Sequence, residues 1–298
     1  MIKIILKLKG GLGNQLFSYA AARRLSIINQ AELVIDKISG FKYDHRYKRQ
    51  FLLDHFNIQA RFANKYERFI AFNRIFRYFR IKLSQNKPFE KRKYLIQEKN
   101  DFDPRLLDLR INGTLNFEGY WQSELYFKDI EEIIRQDLEI IPPKDELNKS
   151  IAEIIQKSDA VCIHVRWFAP PYTKYASKNS KNIDKVYYDE AISMICHKIN
   201  NPYFFIFSDF PDDTAKLLDL HKNNATFISH NQGDENSYAD LWLMSLCKHF
   251  IIANSTFSWW GAWLSLNPDK IVIAPKKVKN EEGAWGFKGL IPEQWIIN

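Results

Sequence analysis

His164 and Arg166 stand two residues apart at the end of the apolar run Ala160-Val161-Cys162-Ile163-His164-Val165-Arg166. On a strand, that spacing sends both side chains to one side. A guanidinium fork at a strand terminus suits a pyrophosphate; an ion pair at a domain interface is the plainer use. A second candidate is Asn254-Ser255-Thr256-Phe257-Ser258, where an apolar run meets hydroxyls just before Trp259-Trp260-Gly261-Ala262-Trp263. Hydroxyls and free N–H groups at a helix N-terminus cradle phosphate. An ordinary Ser/Thr cap is the alternative, and it leaves the Trp cluster unexplained. The third is Gly10-Gly11-Leu12-Gly13-Asn14-Gln15-Leu16-Phe17. Glycines between a strand and a helix let backbone approach a ligand, although Leu16 occupies the third glycine position of a dinucleotide fingerprint. A tight turn with Asn14 as the helix cap competes with this reading.

The elements that position these residues follow from periodicity. Residues 2–8 read as a strand, Asn14 to about Ile28 as a helix, and 32–36 as the next strand, an opening that implies a parallel sheet. Residues 114–118 return to strand character, and Pro142-Pro143 marks a linker. Beyond it, strands at 160–165, 203–207, 225–228, 249–253 and 271–274 alternate with helices at 187–199, 212–220, 238–247 and 258–265. That alternation predicts a doubly wound α/β sheet. Ligands bind past the carboxyl ends of such strands, which marks His164, Arg166, Ser208-Asp209 and Asn254-Ser255-Thr256. Domains at 1–150 and 151–298 are expected.

The 298 residues are 46% hydrophobic and 15% aromatic, enough for one large or two modest cores. Aromatic faces pack on sugar rings, but for any single one core packing is the better expectation. A formal charge of +8 suits an anionic partner without choosing it. Cys162, Cys196 and Cys247 lie far apart in apolar runs and read as buried reduced thiols. The charged start Met1-Ile2-Lys3 is unlike a signal peptide, and no apolar stretch approaches a spanning helix. A cytoplasmic protein, or one peripheral to the inner membrane face, is expected. Residues 68–82 are the candidate membrane contact: Phe69, Phe72, Phe76 and Phe79 recur at helical spacing among Arg residues. A core helix with Arg outside is the preferred alternative.

Three blocks together, Gly10 to Gln15, Gly119-Tyr120-Trp121-Gln122-Ser123 and Asp240 to Trp263, resemble the bacterial branch of the α-1,2-fucosyltransferase family. Ile271-Val272-Ile273-Ala274-Pro275 also fits. The resemblance implies a GT-B fold, two facing Rossmann-like domains with the donor on the second. It implies inverting transfer of L-fucose from GDP-β-L-fucose to the 2-hydroxyl of a galactoside, in O-antigen-like synthesis, with no metal or other cofactor. The acceptor would be a galactose-terminated oligosaccharide, free or lipid-linked. Arg166 would meet the β-phosphate beside His164. Ser255, Thr256, Phe257 and Ser258 would serve the phosphates and the guanine surroundings, with Asp209, Gly11 and Gly13 among the donor contacts. Asp240 would accept from guanine N1–H and N2–H₂, and Asn14 would face the reacting centre.

One departure stands out. The family pattern His-x-Arg-Arg-Gly-Asp reads His164-Val165-Arg166-Trp167-Phe168-Ala169 here, and Phe207-Ser208-Asp209-Phe210 lacks the usual second Asp. The departure motivates a rival, a GDP-sugar binder with altered donor or lost turnover. Clustered Arg and Phe motivate another, a basic nucleic-acid-binding protein, which leaves residues 240–263 unexplained. Asp101-Phe102-Asp103 is a literal DxD, the metal-holding signature of GT-A enzymes. It precedes Pro104 and follows no clear strand, so it reads as a surface or capping motif. Asp209, Glu118 and His164 are the positional candidates for a general base.

Overall fold

The computed structural model of the chain describes residues 1–45, 47–68, 74–168, 182–218, 220, 224–276 and 285–298. It divides into two compact units, Met1–Ile141 with Lys288–Leu290 and Pro142–Phe287 with Ile291–Asn298. A boundary at 150 would cut a helix, Glu146–Lys157, whose N-cap Asp145 accepts from Asn148 N. The units part at Pro142 instead, where a ring without an N–H cannot extend regular pairing.

Unit one contains β1 (Lys3–Lys7), α1 (Leu12–Ile28), β2 (Glu32–Asp36), β3 (Arg61–Phe62), α2 (Arg74–Gln85), β4 (Tyr94–Ile96), β5 (Thr114–Glu118) and α3 (Glu131–Asp137). The sheet order is β3-β2-β1-β5-β4, with every pairing parallel. The middle of β1 is buried, as a strand covered on both faces requires. The chain moves outward from β1 through β2 and β3, crosses to β4 at the opposite edge, and comes back inward to β5 beside β1. The direction of winding therefore reverses between β1 and β5. The glycine block follows β1 and the Gly119 block follows β5.

Unit two contains α4 (Glu146–Lys157), β6 (Ala160–Val165), α5 (Lys185–Lys198), β7 (Tyr203–Ser208), α6 (Pro211–Leu218), β8 (Ala225–Ile228), α7 (Ser237–Leu246), β9 (His249–Ile251), α8 (Thr256–Leu264), β10 (Val272–Ala274) and β11 (Ile296–Ile297). Its parallel order is β11-β10-β9-β6-β7-β8. Here the winding reverses between β6 and β9, and such a switch point is where open α/β sheets bind ligands. On one face, Tyr187, Tyr188, Ala191 and Ile195 of α5 pack on Val161, Ile163, Phe204 and Ile206. α7 packs beside both α4 and α8. Gly261 permits that approach, because a Cβ there would lie 2.9 Å from Met244 Cβ.

The Trp cluster is core. Trp259, Trp260 and Trp263 are buried, and Trp259 stacks on Trp263 and meets Trp295 at 5.4 Å. These rings anchor α8 and do not line a sugar site. Cys162 and Cys247 are buried as expected, but Cys196 is exposed, because it lies on the solvent side of α5. α2 departs from the core-helix reading over residues 78–85: Tyr78, Phe79 and Leu83 are exposed, and only Ser84 is buried. Residues 69–73, and the side chains of 74–77, lie outside the described residues.

Candidate functional site

β6 delivers His164 and Arg166 to the switch point of unit two. His164 is 5% exposed, and its carbonyl accepts from the Tyr188 hydroxyl at 3.2 Å. Its Nδ1 is buried without a hydrogen-bond partner among the described residues. Burial, reinforced by the charge of Arg166, lowers its pKa to about 3, so the ring is neutral near pH 7. That ring lies 5.7 Å from the ring of Phe257, in the first turn of α8. Two separated sequence blocks thus meet across β6 and β9.

Arg166 Nη1 lies 3.0 Å from Asp209 Oδ2, at the end of β7. The other oxygen of Asp209 accepts the Trp167 N–H at 3.1 Å. Trp167 donates its indole N–H to Thr214 Oγ1 at 2.9 Å, and Thr214 donates to Ser208 Oγ at 2.8 Å. Residues 166–167, where the sequence leaves the family pattern, are therefore fixed from β7 and α6. Asp209 is committed to Arg166 and Trp167, which makes it a positioning group and a poor free base. Ala169 lies outside the described residues.

α8 starts as expected of a cap: the Ser255 side chain accepts from Phe257 N at 3.3 Å. Ser258 does not share this half-buried position. It is buried and donates to the Ser255 carbonyl at 3.3 Å, so its hydroxyl serves the helix. The Tyr187 hydroxyl sits 2.7 Å from Ile252 O and 2.9 Å from Ile273 O. It ties the ends of β9 and β10 together just before Asn254.

Asp240 occupies the first turn of α7. Asn231 donates to its Oδ1 at 2.8 Å. Burial outweighs that bond and raises its pKa to about 7. Asn231 is held in turn: it exchanges amide hydrogen bonds with Asn148 at 2.9 and 3.0 Å. Asn148 Oδ1 also meets His230 Nε2 at 3.0 Å. Asn148, Asn231 and His230 were not legible as site residues, because 83 positions separate the two amides.

In unit one, α1 begins at Leu12 with Gly11 as its cap, so Asn14 is not the cap. Asn14 is half-buried in the first turn, where its Oδ1 accepts from Gln122 Nε2 at 2.7 Å. This bond joins the glycine block to the Gly119 block. Gly13 is buried within the same turn. Gln15 fastens the loop: it donates to Gly10 O at 2.9 Å and Gln50 O at 2.8 Å, and accepts from Leu52 N at 3.0 Å. Gln97 Oε1 accepts the N–H groups of Tyr120 and Trp121, supporting Trp121 in a left-handed conformation, φ 53°. The Glu118 carboxylate meets Lys7 Nζ at 3.1 Å and Lys9 Nζ at 3.2 Å. In the DxD stretch, Asp103 caps a 3-10 turn and pairs with Arg105 at 2.6 Å, while Asp101 accepts from Lys288 N at 3.0 Å.

Comparison with known proteins agrees with this architecture. The profile described as "Glycosyl transferase family 11" matches residues 1–296. An alpha-1,2-colitosyltransferase of Escherichia coli is 32% identical over 300 residues, 98% of each chain. The O-antigen biosynthesis glycosyltransferase WbnK of Escherichia coli is 30% identical over 290 residues, covering 91% of this chain and 93% of that protein. Among solved structures, the fucosyltransferase NodZ from Bradyrhizobium superposes with a TM-score of 0.51 at 13% identity, over 94% of this chain and 96% of that one. FUT1 of Arabidopsis thaliana in complex with GDP gives 0.51 at 11% identity, over 91% of this chain and 69% of that one. At such identities the two structures establish the fold, which is GT-B.

Proposed function

The chain belongs to glycosyl transferase family 11, and from that premise we propose that it transfers L-fucose from GDP-β-L-fucose to the 2-hydroxyl of a galactoside. The acceptor is a galactose-terminated oligosaccharide, lipid-linked during synthesis of an O-antigen-like surface polysaccharide. The relatives support that setting: one is named for O-antigen biosynthesis and another for an α-1,2 linkage. The observation that carries the reading is the meeting of β6 and β9 at the switch point, where His164, two residues before Arg166, lies 5.7 Å from Phe257 in the first turn of α8.

The chemistry follows from those groups. The acceptor oxygen attacks the anomeric carbon from the face opposite GDP, forming an α-fucoside. The C1–O bond breaks, and its electron pair stays on the β-phosphate. Arg166 and the N-terminal dipole of α8 stabilise the charge gathering there, so no metal is required. Thr256 and Ser255 line the same helix start, and Asp240 receives the guanine N–H groups. Asn14, which matches the Asn of the family's glycine motif, takes part in the transfer step. The acceptor proton leaves late with weak base assistance: Asp209 and Glu118 are paired with cations, and neutral His164 is too weakly basic. The buried Nδ1 of His164 is better suited to a hydrogen bond with bound GDP.

A second reading has a specific motive. The relative at 32% identity is named for colitose, the 3-deoxy analogue of fucose, and Trp167-Phe168-Ala169 stands where the family pattern has Arg-Gly-Asp. One assay separates the two. Purified protein with EDTA is given GDP-L-fucose or the GDP-linked 3-deoxy sugar, with β-galactosides, and products are read by mass spectrometry. Fucosylated product supports the first reading; transfer of the 3-deoxy sugar alone supports the second. Binding of GDP with transfer from neither donor overturns both in favour of a binder without turnover.

A further inference from the structure

We propose that the outer face of α2 and the segment after it form a docking surface for an anionic lipid bilayer. The basic charge of this protein is not where the diphosphate is placed. Of 43 Lys and Arg and 35 Asp and Glu, unit one holds 27 and 17, leaving 16 and 18 for unit two. A donor site in unit two therefore does not account for the excess, which lies on unit one and suits a second anionic partner there.

α2 supplies the place. At 100° per residue, Tyr78, Lys82, Phe79 and Leu83 fall on one outward arc of about 140°. Tyr78 is 61% exposed, Phe79 55% and Leu83 64%. The opposite side holds the helix to unit one: Ser84 Oγ accepts from Tyr94 N at 3.0 Å and lies 3.2 Å from Tyr94 O. Arg80, Lys82, Lys87, Lys91 and Lys93 are exposed along the helix and the segment after it, and no acid occurs between Glu67 and Glu90. Apolar side chains inside a rim of cations are the pattern of a helix lying in a headgroup layer. The lysine stems permit the ammonium groups to reach phosphates while the rings sink below them.

Charge selects the occupant. A second copy meeting this face across a two-fold axis would set its own cations against these. An anionic bilayer neutralises them, with each cation near the surface strengthening binding about fivefold. Burying Phe79 and Leu83 adds on the order of tenfold each. The inference stands independently of which sugar is transferred, and it places the enzyme where a lipid-linked acceptor is presented.

Flotation of the full chain with vesicles tests it. Binding is expected to phosphatidylcholine vesicles containing phosphatidylglycerol, to fall with added salt, and to be absent for phosphatidylcholine alone. Phe79→Glu with Leu83→Glu is expected to lower binding more than about tenfold, and Lys87→Glu with Lys91→Glu similarly. Both variants should keep GDP affinity and transfer to a soluble galactoside. The proposal is overturned if the wild-type chain ignores anionic vesicles at low salt, binds neutral ones equally, or binds as well with either pair changed. It is also overturned if light scattering shows a dimer that the Phe79/Leu83 variant dissolves, which would give the face to a second copy.

Discussion

The guanidinium of Arg166 and the carboxylate of Asp209 lie 3.0 Å apart, joining the ends of β6 and β7 beside the switch point. Both side chains are about a third exposed, so the pair contributes little to stability. Its consequence is geometric: the fork is aimed before any diphosphate arrives. Asp209→Asn is expected to leave thermal stability within about 1 kcal/mol. It should lower kcat/KM for the nucleotide sugar about tenfold or more through misplacement of Arg166. A loss of stability without a kinetic effect would make the pair merely structural.

Asp240 sets a pH dependence. Its folded-state pKa, about 7, is raised above the ordinary carboxyl value by burial. Its contribution to stability is therefore complete below the unfolded value and is lost as pH rises through 7. Guanine recognition needs the carboxylate, so affinity should move the opposite way and strengthen across that window. The ratio of GDP dissociation constants, Asp240→Asn over wild type, cancels the titration of the phosphates themselves. It is expected to grow about tenfold from pH 6 to pH 8; a flat ratio would remove Asp240 from the base site.

His164 has the contrary sign. Its pKa is lowered to about 3, so the stability it contributes is present above the unfolded value near 6.5 and is lost as pH falls toward 3. His164→Phe should unfold less readily than wild type in acid. If Nδ1 binds GDP, the variant should also bind GDP about tenfold more weakly at pH 7. Improved acid stability with unchanged affinity would confine His164 to the core.

Under the proposed function Asn14 acts in the transfer step and not in nucleotide binding. Asn14→Ala breaks the 2.7 Å bond to Gln122. It is expected to reduce kcat about a hundredfold while the GDP dissociation constant stays within about twofold. Rapid-quench turnover beside calorimetric GDP binding separates these quantities. Equal losses in both would place Asn14 on the donor.

Much of unit two was legible because buried parallel strands announce themselves. Residues 160–165 and 225–228 coincide with β6 and β8. Unit one was harder. β3 spans two residues and β4 three, too few for a period, and α2 turns outward Phe79, which reads as core by its spacing. Gly11, not Asn14, caps α1 because extended backbone at Gly11 ends the turn one residue before the helix. Ser258 reads as a phosphate ligand by adjacency, yet the first turn of α8 rotates it into the core. The polar partners that orient the site, Gln122 for Asn14 and Asn231 with Asn148 for Asp240, have no local signature. Two of the three pairings cross more than eighty residues of sequence, and no spacing rule reaches that far.

Calorimetric binding of GDP and GMP to wild type and Arg166→Ala, in EDTA, tests the diphosphate site most directly. Wild type should prefer GDP, and the substitution should erase the preference, because the β-phosphate loses its charge-assisted partner. An undiminished preference for GDP in Arg166→Ala would contradict the assignment of Arg166 and the α8 terminus to the leaving group.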